Sequence, residues 1–138
     1  MASQHITSAF SSGMAFTTEV NDHKITIDLQ KADNGNETGP RPKVLMLVSL
    51  AGCTGVDIVM ILNKMRVEFS DFSIDVDAEL SDTEPKVYTS VRLTYIIKVK
   101  KEDESKVEKA VDLSQNKYCG VSMMFRAFAT LETEIVFN

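Results

Sequence analysis

Two cysteines, Cys53 and Cys119, are the residues of this sequence best suited to covalent chemistry. Cys53 lies between Gly52 and Gly55 in the apolar run SLAGCTGVDIVMIL, with Asp57 four residues further on. A glycine inside a helix costs about 1 kcal/mol relative to alanine. A carboxylate in an apolar run costs more unless it is paired. Residues of these types are a poor choice for a plain hydrophobic rod. If the run is helical, Ser49, Cys53, Asp57 and Lys64 fall near one stripe, because they are spaced at four, eight and fifteen residues. The glycines then leave room beside the thiol for another helix or for a substrate.

Two readings stay open for each cysteine: a reactive thiol, or a small buried packing residue. Asp57, one turn from Cys53, disfavours a thiolate there. Activation therefore calls for a nearby cation or donor, and the arginines on offer are Arg41, Arg66, Arg92 and Arg126. Cys119 precedes a short helical segment. A thiol at a helix start meets the positive end of the dipole, which lowers its pKa. Such a pair can act as peroxidatic and resolving cysteines. Met60, Met65, Met123 and Met124 can line an adaptable apolar pocket or simply fill core.

The elements that must position these groups follow from composition and periodicity. With 138 residues, 43% hydrophobic and 25% charged, the chain suits one domain, 1–138, with a real core. A net charge of -5 argues against a nucleic-acid partner, which needs a basic surface. Two cysteines are too few for a disulfide scaffold, and His5 and His23 add too little for a metal site. No phosphate-cradling or dinucleotide motif occurs, so no cofactor is expected. MASQHITSAF lacks the basic start and apolar core of a secretory leader, which makes the cytoplasm the expected compartment. Val44–Leu62 is apolar enough to raise a membrane span. Asp57 inside the run favours instead a helix buried within a domain or a dimer, with no membrane partner.

Residues 1–8 read as a loose terminus. Residues 12–20 and 23–29 read as two strands of a hairpin (12–30) joined at Asn21-Asp22. KADNGNETGPRP (31–42) is a loop by its Gly, Asn and Pro content. A central helix is expected from Pro42 to Met65 or Val67. Residues 72–80 alternate cleanly as a strand, and 87–100 form a second with a bulge near Tyr95–Ile97. Residues 101–118 form an amphipathic helix with Val107, Ala110 and Val111 on its inner face. A short helix over 119–125 and a last strand over 129–137 complete an α+β chain. Its antiparallel sheets are expected to wrap one long buried helix, and an intertwined homodimer would solve that helix's burial.

The segments GMAF (13–16), HKITID (23–28), GPRP (39–42), LAGCTGVDIVMILNKMR (50–66) and YCGVS (118–122) stand in the order and spacing of the OsmC/Ohr family. The chain resembles most the OsmC-like branch with an AGCT-x-x-D helix. The resemblance implies an intertwined α+β homodimer and a cysteine peroxidase that reduces organic hydroperoxides in oxidative-stress defence. It assigns Cys53 as nucleophile and Cys119 as resolving thiol, with a dithiol reductant, typically lipoyl-linked, reopening the disulfide. Active members carry a glutamate on the helix before the peroxidatic cysteine and an arginine from the N-terminal region. Here Lys43-Val44-Leu45 offers no acid, and residues 12–30 hold no arginine. Arg41 and Lys43 remain as cations that could modulate the thiol together with Asp57. Without the usual pair, the alternative is a non-enzymatic dimer of this fold that binds an apolar small molecule.

Overall fold

The computed structural model describes residues 1–138. The chain forms two compact units, Met1–Leu47 and Val48–Asn138. The first is a three-stranded antiparallel meander of β1 (Thr7–Ser12), β2 (Ala15–Val20) and β3 (His23–Ile27). Asn21 and Asp22 turn from β2 to β3 with φ of 49° and 65°, the left-handed pair that a two-residue hairpin needs. Strand β1 corrects the expectation of a loose start and of one strand over 12–20. Gly13, at φ 57°, turns the chain so that Phe10 pairs with Phe16. Strand β1 is exposed along its whole length, so ladder hydrogen bonds make it, and no apolar alternation advertises it.

The loop after β3 is held by a buried carboxylate. Asp28 accepts from the main-chain N–H groups of Leu29, Asn36 and Thr38, and from the Thr38 hydroxyl at 2.6 Å. The Thr38 donors hold its pKa below the ordinary carboxylate value. Gly35 and Gly39 are glycines because a Cβ would overlap the carbonyls of Leu29 and Thr26.

The long helix α1 (Val44–Lys64) opens in the first unit and continues through the second. By length and composition it is apolar enough to cross a membrane. One line of it is buried, Leu50, Thr54, Ile58 and Leu62, at the four-residue spacing of a helix face. The second unit adds a sheet of β4 (Phe69–Leu80), β5 (Tyr88–Val99) and β6 (Thr130–Phe137), with β5 in the middle. Val91, Leu93, Tyr95 and Ile97 alternate inward along β5 and form the centre of the core.

Two features of this sheet differ from expectation. The bulge lies opposite Ile97 but belongs to β4, where Asp71 and Phe72 occupy the space of one residue and Asp71 takes φ 50°. Strands β4 and β5 are antiparallel, whereas β6 runs parallel to β5. A parallel pair requires a crossover, and the helices between the two strands supply it. They are α2 (Glu104–Leu113), a π-helical turn (Ser114–Tyr118) and α3 (Gly120–Arg126). A 3-10 turn over Lys101–Asp103 and the π turn replace the single helix expected over 101–118.

Candidate active site

Helix α1 presents Cys53 half-buried, and the start of α3 presents Cys119 buried. Cys53 lies near enough to Cys119 to act on its titration. Cys119 caps α3, its Sγ accepting from the Ser122 main-chain N–H at 3.3 Å. Its place at a helix start is as expected, but the direction of its titration is not. Burial pushes the Cys119 thiol up, and the Ser122 contact offsets this only in part. With α3 only seven residues long, desolvation outweighs the cap. The neighbouring Cys53 raises Cys119 further, so Cys119 keeps its proton.

Asp57 is half-buried one turn after Cys53. Its carboxylate accepts from Ser114 Oγ at 2.9 Å, which meets the pairing that an apolar helix demands of it. Ser114 Oγ lies 2.7 Å from Thr54 Oγ1, and Thr54 Oγ1 lies 2.8 Å from the Tyr95 hydroxyl. Gln115 Nε2 reaches the Tyr95 hydroxyl at 2.9 Å, Ser122 Oγ at 3.1 Å and Thr54 Oγ1 at 3.2 Å. Arg126 donates to the Gln115 carbonyl at 2.6 Å and to Gln115 Oε1 at 2.7 Å. No buried side-chain nitrogen or oxygen is left without a partner.

The stripe read from the sequence divides between two surroundings. Cys53 meets Cys119, while Asp57 and Lys64 line a cavity of about 310 Å³ with Met60, Ile61, Met65, Leu113 and Tyr118. Met60 and Met65 thus border this space, whereas Met123 and Met124 lie on the surface. Gly55 lets β4 approach, for a Cβ there would stand 3.2 Å from Ile74 Cδ1; Gly52 faces open space. Arg41 and Lys43 belong to the first unit. Arg92 is paired on the sheet surface with Glu132 and Glu134.

Sequence reading missed Thr54, Tyr95, Ser114, Gln115 and Ser122, and left Arg126 without a place. A signal was available for two of them. The inner stripe of α2, Ala110-Val111, repeats four residues later as Ser114-Gln115, so polar groups stand where the core face continues. Thr54 and Ser122 lie close to the two cysteines in sequence, whereas Tyr95 comes from β5 and Arg126 from the end of α3, and no local pattern joins the four.

This arrangement of a dithiol pair between a long helix and a short one sits on a known fold. The chain belongs to the OsmC-like protein family, whose pattern it matches over residues 34–134. It is 31% identical over 113 residues to Protein YhfA of Escherichia coli strain K12, covering 81% of each chain. A hypothetical protein from Aquifex aeolicus VF5 superposes with a TM-score of 0.82 at 29% identity, covering 100% of this chain and 99% of that one. The organic hydroperoxide resistance protein OsmC of Legionella pneumophila shares the fold at a TM-score of 0.68 and 16% identity, covering 99% of both chains.

Proposed function

We propose that this protein is a thiol peroxidase for organic hydroperoxides, with Cys53 as the attacking thiol and Cys119 as the resolving thiol. The observation that supports the proposal is that the only two cysteines in the chain, 66 residues apart in sequence, come near enough for Cys53 to raise the pKa of the buried Cys119. The hydroperoxide resistance protein of the same fold supports the choice of substrate class. In the first step the Cys53 thiolate attacks the outer peroxide oxygen. The O–O bond breaks, Cys53 becomes a sulfenic acid, and the alkoxide leaves as the alcohol after taking a proton. In the second step Cys119 displaces the hydroxyl as water and a Cys53–Cys119 disulfide forms. An external dithiol then reopens it by exchange. The cavity beside Asp57 and Tyr118 suits the organic group of the peroxide, since methionine and aliphatic side chains make up most of its wall.

The working unit we propose is a homodimer. Val48, Val56 and Met60 are 61%, 60% and 55% exposed on α1, and Gly52 between them faces open space. This apolar stripe at four-residue spacing fits a second copy of the same helix.

Turnover of cumene hydroperoxide with dihydrolipoamide as reductant tests the proposal. Steady consumption, faster than with hydrogen peroxide and abolished in Cys53→Ser, is the expected result. A second reading, a binder of apolar small molecules without chemistry, draws on the same cavity and on the apolar start of α1 at Val44-Leu45. No consumption by reduced protein, with the cavity still taking up an apolar fluorophore, selects that reading.

A further inference from the structure

The buried polar groups around the two thiols form a chain whose donor directions are all fixed. A carboxylate can only accept, so Ser114 donates to Asp57. Its single proton is then committed, and it accepts from Thr54. Thr54 in turn accepts from Tyr95, whose phenol keeps its proton because burial raises its pKa. At the other end a guanidinium can only donate. Arg126 takes both the carbonyl and the Oε1 of Gln115, which settles the amide orientation. Gln115 Nε2 must therefore face Tyr95, Thr54 and Ser122. The π turn sets Gln115 just upstream of the second thiol, since the Cys119 main-chain N–H closes that turn on the Ser114 carbonyl at 2.7 Å.

Gln115 thus touches both cysteine-bearing elements. It reaches Thr54, the residue after Cys53, and Ser122, whose N–H holds the Cys119 sulfur. We propose that Gln115, locked by Arg126, is the positioning residue that keeps Cys119 aimed at Cys53 for disulfide closure. The inference rests on the peroxidase reading for its place in the cycle, but the clamp is a property of the thiol pair. In the closing step the S–O bond of the Cys53 sulfenic acid breaks and an S–S bond forms. The Cys119 proton leaves with the hydroxyl as water, Cys53 sulfur is reduced, and Cys119 sulfur is oxidised. Attack along the S–O axis is directional, and a misplacement of about 1 Å costs such a step roughly 100-fold. Apolar packing does not supply that direction, whereas hydrogen bonds of fixed polarity do.

The test compares wild type with Gln115→Leu, Gln115→Glu and Arg126→Lys. Gln115→Glu keeps the shape and the partner for Arg126 but removes every donor to Thr54, Tyr95 and Ser122. Reduced protein receives one equivalent of cumene hydroperoxide in the presence of dimedone, which traps sulfenic acid. Oxidation of Cys53 should stay within about twofold of wild type, and closure should slow at least about tenfold. The dimedone adduct on Cys53 then replaces the disulfide as the main product. Equilibration with glutathione gives an independent reading that needs no peroxide. The effective concentration of one thiol toward the other should fall at least about tenfold in the same variants. A purely structural role would lower the melting temperature and leave both ratios at wild-type values, and that result overturns the proposal. If Gln115→Leu does not fold, the isosteric glutamate and Arg126→Lys carry the comparison. If wild type fails to react with peroxide, the peroxidase reading falls and the glutathione equilibrium still decides the clamp.

Discussion

Cys119 holds its proton because it is 4% exposed, and the neighbouring Cys53 raises its pKa further. In the peroxidase proposed above, this keeps an idle Cys119 thiolate from competing for the peroxide. The sign of the consequence is definite. A thiol whose folded pKa lies above its unfolded value contributes stability that is complete below the unfolded value, about 8.5. That contribution is lost as pH rises from there through the folded value. Iodoacetamide at neutral pH should label Cys53 at least about tenfold faster than Cys119 in the folded protein. The Cys119 rate should climb only at alkaline pH, as peptide mass mapping over a pH series would show. Equal labelling at neutral pH would mean that burial does not govern Cys119. The urea midpoint of wild type should likewise fall above about pH 8.5, and fall less in Cys119→Ala.

Elements were legible in the sequence wherever one face is buried and the other wet. Strands β4 and β5 and the helix α2 announce themselves by period two and period 3.6, and Asn21-Asp22 marks its hairpin. Strand β1 was not legible, because all six of its residues are exposed and only its partner makes it a strand. The π turn was hidden as well: its closing bond spans five residues, and composition does not distinguish that from four. The loop glycines give the clearest test at this scale. Gly35→Ala drives a Cβ into the Leu29 carbonyl, which is backbone and cannot step aside. It should cost more than about 2 kcal/mol. Gly55→Ala meets only the tip of Ile74, and a helix gains about 1 kcal/mol from alanine over glycine. Its melting temperature should stay close to that of wild type. Denaturant titration of both variants checks the contrast, and equal losses would contradict the packing described for these two sites.

At the scale of the molecule, the site was legible only in part. The motif LAGCTGVD and the segment YCGVS point to the two thiols, yet the polar groups around them come from α1, β5, the π turn and α3. Their meeting is a product of topology, which brings Tyr95 and Ser114 to Thr54 of α1 and Arg126 to Gln115. The outer face of α1 poses the complementary question. Val48, Val56 and Met60 remain exposed in one copy, which is unfavourable in water and favourable against a twin helix. For the homodimer proposed above, Val56→Lys should therefore shift sedimentation from dimer to monomer; a wild type that sediments as a monomer would remove the dimer, and a dimer unchanged by the substitution would remove this face as its interface.

The central claim is that Cys53 and Cys119 are chemical partners, and mass mapping of the thiols after one equivalent of cumene hydroperoxide tests it most directly. Loss of both free thiols to a Cys53–Cys119 disulfide is the predicted result, with Cys119→Ser stopping at a sulfenic acid on Cys53. Two intact thiols, under conditions that oxidise an established thiol peroxidase, would contradict it.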